Sequence, residues 1–252
     1  MSTDRIDVTL TFPLPDGRAL VKGPLTYNTD GLATKHNADF VRDPLFAAAY
    51  GLGASTGHQY GPNLHVEWRV YTACWIASNA IRLPGDFVEC GVATGIISRA
   101  ITHYVGWESF GDRTFWLLDT FDRYPAEQLN AQERQAGLGR LENEYHNSLD
   151  GIRKTFADYP NVRIIPGMIP STLDEVKAEK IAYLHLDCNA VTPERAAIER
   201  FWPRLVSGAW ILFDDYGWTE CINQKVAMDQ FAAAHGLSIF SMPTGQGILI
   251  KP

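Results

Sequence analysis

The chain has 252 residues, enough for one large domain with a sizeable core that needs neither disulfides nor a structural metal. Apolar residue types make up 46% of the chain, and 22 basic against 29 acidic residues leave a net charge of −7. Because phosphate contacts need clustered cations and a bilayer span needs roughly 18 consecutive apolar residues, we expect neither a nucleic-acid nor a membrane partner.

The cysteines and the N-terminus bear on the cellular compartment. The four cysteines include no C-x-x-C pair, which argues against a thiolate zinc site. Residues 1–12 lack the continuous apolar stretch of a secretory signal. Reduced thiols in a cytoplasmic protein are the simplest expectation.

Residues 1–84 predict an N-terminal arm followed by cap helices. Dense proline and glycine before residue 32 indicate an extended arm, with a hairpin around Asp16-Gly17. Residues 38–50 predict short helices interrupted at Pro44, and residues 51–63, with their four glycines, predict a flexible loop. Apolar residues at three- or four-residue steps predict an amphipathic helix over 64–83.

Residues 85–252 predict a second unit in which strands alternate with helices. The strands are predicted at 87–92, 114–119, 162–166, 181–188, 208–214, 237–242 and 247–251. The helices are predicted at 95–106, 142–158, 171–179, 193–205 and 223–235, with Thr192 as N-cap of the fourth. This alternation indicates an α/β fold with a doubly wound, mostly parallel sheet covered on both faces. The short connection at 243–246 permits only an antiparallel pair, so one reversed strand should lie near the sheet edge.

Sheets of this kind bind ligands at the carboxyl ends of their strands. The first strand runs through Glu89 into a turn that contains Gly91 and Gly95. Glycines there allow a close backbone approach, and the N–H groups of the following helix favour an anionic group. A tight strand-to-helix turn without a ligand is the alternative, and Ser98 either contacts a ligand or bonds to its own helix.

The next two strand ends offer contacts for a nucleotide-like ligand. Asp119 and Thr120 end the second strand, where an acidic residue accepts hydrogen bonds from ribose hydroxyls in nucleotide sites. An Asx turn or a helix cap would explain Asp119 equally. Met168 and Ile169 follow the third strand and could lie against an adenine ring or simply pack in the core.

Three aspartates follow neighbouring strands, namely Asp187 after the fourth strand and Asp214 and Asp215 after the fifth. Three ionised carboxylates in one place repel one another unless a cation neutralises them. Oxygen ligands suit a hard ion such as Mg²⁺, although helix capping and backbone hydrogen bonds are the alternative. His185 points to the same side of its strand as Asp187 and is either catalytic or a core residue.

These strand ends together resemble the S-adenosylmethionine-dependent macrocin O-methyltransferase family, which methylates sugar hydroxyls of antibiotics. The matching segments are Glu89-Cys90-Gly91-Val92 with Gly95, Asp119-Thr120-Phe121, Gly167 with Thr172-Leu173, His185-Leu186-Asp187-Cys188, Trp202-Pro203-Arg204-Leu205 with Gly208, and Asp214-Asp215-Tyr216-Gly217.

The resemblance implies an enzyme that binds S-adenosylmethionine and Mg²⁺ and methylates a sugar hydroxyl of a glycosylated natural product. It implies Asp187, Asp214 and Asp215 as metal ligands and Asp187 as general base, and it places Glu89, Gly91 and Asp119 against the cofactor. A catechol-type phenol methyltransferase and a non-catalytic cofactor-binding protein are the alternatives.

Some features leave the acceptor open. The family usually has an acidic residue where this chain has Asn189. His36, Asn37 and Asp39 could reach the site if the N-terminal arm folds over it, and surface contacts would explain them as well.

We also expect a homo-oligomer, because the family uses its N-terminal region for a lid and for oligomer contacts.

Overall fold

The computed structural model of the chain describes residues 24–58, 64–145 and 148–252. It begins with a small hairpin of β1 (Tyr27–Thr29) and β2 (Leu32–Thr34). The two turn residues, Asp30 and Gly31, have φ values of 50° and 69°, which are the left-handed values of a type I′ turn. The hairpin expected at Asp16-Gly17 lies outside the described residues.

Two helices follow the hairpin: α1 (Pro44–Ala54) and α2 (Glu67–Ala80). Asp43 caps α1 by accepting a hydrogen bond from Phe46 N at 2.9 Å, and Pro44 occupies the first position, where no N–H is needed. The loop predicted over residues 51–63 is wrong at its start, because α1 continues to Ala54. Gly53 is buried there in tight contact with Ile96, so packing outweighs the low helix propensity of glycine.

Seven strands form the main sheet. They are β3 (Asp86–Cys90), β4 (Phe115–Asp119), β5 (Val162–Pro166), β6 (Ile181–Leu186), β7 (Leu205–Phe213), β8 (Phe240–Ser241) and β9 (Gly247–Ile250). Their order is β5-β4-β3-β6-β7-β9-β8, and only β9 runs against the others. The doubly wound, mostly parallel sheet with one reversed strand near its edge is confirmed.

The remaining helices are α3 (Ile96–Tyr104), α4 (Ala131–Gln135), α5 (Leu141–Glu144), α6 (Leu149–Thr155), α7 (Val191–Phe201) and α8 (Ile222–Ala234). The buried residues of α1, α2 and α3 pack on one face of the sheet, and those of α7 and α8 pack on the other. The N-terminal helices therefore share a core with the strands. No helix of the described residues is long and apolar enough to cross a membrane.

Three predicted helical features are wrong. Instead of one helix over 142–158 there are two short ones, α5 and α6, and the helix predicted at 171–179 is a single 3₁₀ turn, Leu173–Glu175. Thr192 is not the N-cap of α7, because that helix already begins at Val191. The carboxylate of Glu133 accepts a hydrogen bond from Val191 N at 2.7 Å, so a distant side chain supplies the cap.

Candidate functional site

The strand order reverses between β3 and β6, which is where a doubly wound sheet opens a crevice. Gly91 lies at this point with a φ of 86°. A Cβ at this position would overlap the carbonyl group of Asp187 and lie 3.1 Å from Cys188 N. Only glycine therefore lets the first turn and the end of β6 approach so closely.

Asp119 fixes the turn after β3. Its Oδ2 accepts hydrogen bonds from Val92 N at 2.7 Å and Ala93 N at 2.9 Å, and its Oδ1 accepts one from Phe121 N at 2.8 Å. The Asx-type role is therefore present in the structure. Thr120 Oγ1 is the fourth donor, to Asp119 Oδ1 at 3.3 Å, and a ligand hydroxyl could take the place of this side-chain hydroxyl.

A cavity, here called the glycine-turn cavity, opens beside this turn. The predicted cofactor residues in its wall are Gly91, Asp119, Thr120, Met168 and Ile169, joined by Asp187. The wall is completed by Ala93, Leu118, Tyr124, Pro125, Gln128, Tyr145, Gly167, Cys188, Asn189 and Pro193.

A second cavity, here called the carboxylate cavity, shares Ala93, Tyr145 and Asp187 with the first. Its polar wall contains Asp30, His58, Arg69, Glu89 and Asp214. Its apolar wall contains Leu64, Val66, Val92, Ile96 and Ile97. Asp187 therefore lies where two adjoining cavities meet.

His185 is fully buried between two carboxylates. Its Nδ1 lies 3.1 Å from Glu89 Oε1, and its Nε2 lies 3.6 Å from Asp214 Oδ1. Burial alone would lower the pKa of His185, but the neighbouring carboxylates of Asp214 and Glu89 outweigh it and raise the pKa to about 10. The raised pKa favours a protonated imidazole beside the two acids.

Arg69, in the first turn of α2, is the other cation of the site, and its side chain is only 14% exposed. Its Nη1 donates to Asp214 Oδ2 and, at 3.4 Å, to Asp215 Oδ1. Its Nε and Nη2 donate to the two oxygens of Asp30 at 3.2 and 3.1 Å. Converging carboxylates need a neighbouring positive charge to offset their repulsion, and the side chains of Arg69 and a protonated His185 provide it within the chain.

The three aspartates have different surroundings. Although burial alone would raise it, the charges of Arg69 and His185 hold the pKa of Asp214 below its usual range. Burial and the charge of Asp214 raise the pKa of Asp215 to about 6. Burial and the charges of Asp214 and Asp215 raise the pKa of Asp187 well above its usual range. The pKa values of Asp187 and Asp215 are thus raised, whereas that of Asp214 is lowered.

Among the described residues, one group of potential metal-ligating atoms lies within 4.8 Å of one another, from His185, Asp187 and Asp214. Asp215 is not in this group, and its Oδ2 is buried with no hydrogen-bond partner. The structure thus brings Asp187 and Asp214 together, whereas Asp215 contacts Arg69 through its Oδ1.

Other predicted residues lie further from the cavities. Gly95 and Ser98 are not among the described residues that line either cavity. Gly95 precedes α3, and the buried Ser98 donates to Gly95 O at 3.5 Å. Burial raises the pKa of Glu89, although the neighbouring His185 and Ser98 act to lower it.

The polar residues of the N-terminal region lie on the surface, whereas Asn189 lies in the wall of the glycine-turn cavity. His36, Asn37 and Asp39 are exposed, and Asn37 Oδ1 accepts a hydrogen bond from Asp39 N at 3.1 Å. Asn189 lines the glycine-turn cavity with a left-handed φ of 54°, and its Nδ2 lies 3.4 Å from Asp187 Oδ1.

Sequence reasoning missed three polar residues of the site. The Asp-Gly pair at residues 30 and 31 is a strong hairpin signal and could have been used. Arg69 carries no such signal, because it belongs to a helix whose pattern reports only the buried face. Gln246 donates from Nε2 to Asp214 Oδ1 at 2.7 Å, and its place in a short loop gives no hint of this contact.

The strand order, the glycine turn and the acidic strand ends together define a doubly wound α/β protein with a ligand site at the carboxyl ends of its strands. Comparison with solved structures agrees with this class. The O-methyltransferase NovP superimposes with a TM-score of 0.68 at 21% identity, over 82% of this chain and 97% of that one. The calicheamicin methyltransferase CalS11 superimposes with a TM-score of 0.57 at 17% identity, over 72% and 77% of the two chains.

The sequence profile of the Macrocin-O-methyltransferase (TylF) family matches residues 71–240, and the chain belongs to that family. It is 28% identical over 165 residues to the 8-demethyl-8-(2,3-dimethoxy-alpha-L-rhamnosyl)-tetracenomycin-C 4'-O-methyltransferase of Streptomyces olivaceus. It is 26% identical over 167 residues to the mycinamicin III 3''-O-methyltransferase of Micromonospora griseorubida. The matches cover 62% of this chain, and 61% and 63% of these relatives.

Proposed function

We propose that this protein transfers a methyl group from S-adenosylmethionine to a sugar hydroxyl of a glycosylated small molecule. The observation that carries the proposal is the pair of adjoining cavities with Asp187 at their junction. A two-substrate transfer needs two sites that meet at the reacting atoms, because positioning supplies much of the rate. Both curated relatives are named as methyltransferases that act on such glycosylated compounds.

The glycine-turn cavity is the proposed cofactor site. Asp119 would accept a hydrogen bond from a ribose hydroxyl, as acidic residues at this strand end do in nucleotide sites. Met168 and Ile169 give this cavity an apolar wall for the adenine ring. Bound there, S-adenosylmethionine supplies an electrophilic methyl group on its sulfonium. One fold neighbour, the methyltransferase PaMTH1 of Podospora anserina, is described as bound to S-adenosylhomocysteine (TM-score 0.50, 13% identity).

The carboxylate cavity is the proposed acceptor site. Its apolar wall suits the carbon skeleton of a sugar or its aglycone, and its acids suit hydroxyl groups. Asp187 is the proposed general base, because it lies where the two cavities meet and where the reacting hydroxyl would lie. Removing the hydroxyl proton while the oxygen attacks the methyl group avoids a free alkoxide.

Asp187, Asp214 and Asp215 are the proposed ligands of a Mg²⁺ ion. The donor set fits a hard dication, because it consists of carboxylates and includes the buried, unpartnered Oδ2 of Asp215. A protonated His185 has no lone pair to offer and would instead orient Asp214. Bound there, the ion would orient acceptor hydroxyls and lower their pKa.

The test is methyl transfer from labelled S-adenosylmethionine to a panel of glycosylated metabolites and catechols, with binding of S-adenosylhomocysteine measured by calorimetry. Asp187→Asn should lower the turnover rate at least about 100-fold, the lower range for a general base, and leave cofactor binding within a few fold. Asp122→Asn, which changes an exposed carboxylate near the same cavity, is the matched control and should be silent.

Each outcome bears on one part of the proposal. Methylation of catechols alone would replace the sugar hydroxyl by a phenol as acceptor. Absence of S-adenosylhomocysteine binding would refute a methyltransferase altogether. Full activity after chelation by EDTA would remove Mg²⁺ from the mechanism but leave the transfer itself intact.

A further inference from the structure

Arg69 occupies the position between two of the proposed metal ligands. A single nitrogen, Nη1, donates to both Asp214 Oδ2 and Asp215 Oδ1. A divalent cation held by these two side chains would draw on the same negative charge. Because Arg69 already neutralises part of that charge and lies beside it, Arg69 opposes the binding of a second cation there.

The guanidinium group of Arg69 has a second anchor. Its other edge, formed by Nε and Nη2, is bonded to both oxygens of Asp30. This bidentate arrangement is among the strongest side-chain pairings, and it does not involve Asp214 or Asp215. Arg69 can therefore leave the two aspartates and keep an ionic partner.

Asp30 is held in place independently of this ion pair. It lies in the turn of the β1–β2 hairpin, where Gly31 packs closely against Trp218. The hairpin is also tied to α2, because Tyr27 OH donates to Glu67 Oε2 at 3.0 Å. The Arg69 guanidinium also lies 5.4 Å from the Trp218 ring centroid. The second anchor is therefore fixed beside the site.

Arg69 leaves the carboxylates incompletely satisfied. Asp215 Oδ2 is buried and has no hydrogen-bond partner, although buried polar atoms rarely lack one. Asp187 faces both cavities without an ion pair to Arg69, whose three donor nitrogens are taken by the other aspartates. The site can thus receive further positive charge once Arg69 withdraws.

We infer that Arg69 is a positioning residue that competes with a divalent cation for Asp214 and Asp215, and that Asp30 of the hairpin receives its guanidinium when the cation binds. The inference rests on the proposed metal site. It links cation binding to the β1–β2 hairpin, since both act on one side chain.

The test measures Mn²⁺ affinity of the chelator-treated full chain by electron paramagnetic resonance, with no substrate present. Removing the positive charge with Arg69→Gln should tighten Mn²⁺ binding about tenfold or more, because two like charges a few ångströms apart repel strongly. Arg113→Met, which changes a half-buried arginine at the opposite end of the sheet, is the control and should leave the affinity unchanged.

Asp30→Asn completes a double-mutant cycle. It should weaken Mn²⁺ binding in the wild-type background, because Arg69 then has only the metal ligands as partners. In the Arg69→Gln background it should have little effect. An equal effect in both backgrounds would show that Asp30 acts only through its own charge and would overturn the inference, as would unchanged or weaker Mn²⁺ binding by Arg69→Gln.

The outcomes separate this inference from the proposed function. Equal Mn²⁺ binding by wild type and Arg69→Gln removes the competition and leaves the metal site standing. Absence of Mn²⁺ binding from both proteins refutes the metal site and the competition together. Should Arg69→Gln not fold, hydrogen exchange of the wild-type hairpin decides: Mn²⁺ should change the protection of residues 27–34, and no change overturns the inference.

Discussion

Replacing Gly91 by alanine should damage both stability and cofactor binding, because this residue is where the first turn meets the end of β6. With a φ of 86°, the position is unfavourable for any residue with a Cβ. The added methyl group would also overlap the carbonyl group of Asp187, which belongs to the backbone and cannot turn away like a flexible side chain.

The two costs can be separated. The left-handed conformation costs alanine about 1–2 kcal/mol. Relieving an overlap in a packed region costs a further 1–3 kcal/mol or so, which gives about 2–5 kcal/mol in the free energy of unfolding. Gly236 has a similar φ of 71°, but a Cβ there would have open space around it. Gly236→Ala should therefore show only the first cost.

Urea unfolding monitored by tryptophan fluorescence measures both variants, and calorimetry with S-adenosylhomocysteine measures their cofactor binding. Gly91→Ala should be the less stable variant and should lose most of its cofactor affinity, since Asp187 and the turn must move apart. Equal destabilisation by the two substitutions, or wild-type cofactor affinity in Gly91→Ala, would refute this account of the close approach.

Two further predictions concern stability alone. Burial raises the pKa of Glu194 to about 8, above its value of about 4.5 in the unfolded chain. The folded state therefore binds more protons than the unfolded chain. The free energy of unfolding should fall as the pH rises from 4.5 to 8, by up to about 1.4 kcal/mol per pH unit. Urea unfolding at pH 5 and pH 8 should show a smaller fall for Glu194→Gln, which keeps an acceptor for Cys188 N and Gln224; identical pH profiles would contradict the prediction. Gly51→Ala, at an exposed α1 position with open space for a Cβ, should raise the midpoint of thermal unfolding and add about 0.5–1 kcal/mol, and a lower midpoint would count against it.

The sequence predicted the strands of the sheet correctly, because each strand has its own pattern of apolar residues. The strands β3, β4, β5 and β6 have nearly continuous apolar residues, because both faces of the sheet are covered by helices. Parallel strands bring their carboxyl ends to one edge, so residues that follow them must converge. This geometry alone placed Gly91, Asp119 and Asp187 around one cavity.

Predictions failed where the deciding contact comes from far along the chain. The start of α7 could not be placed from Thr192, because Glu133, 58 residues earlier, accepts the hydrogen bond of Val191 N. Likewise α1 runs through two glycines because α3 packs against it.

The sequence by itself therefore determined the fold class and which strand ends carry the acids, since strand patterns and parallel topology are set by short-range spacing. Only the tertiary structure decided how those acids are neutralised. Arg69 and Asp30 lie 145 and 184 residues before Asp214 in the sequence. No periodicity connects positions that far apart, and only the folding of the hairpin and α2 over the sheet brings their charges together. The net charge of −7 gave no sign of these internal charges, because a total does not say where the charges lie.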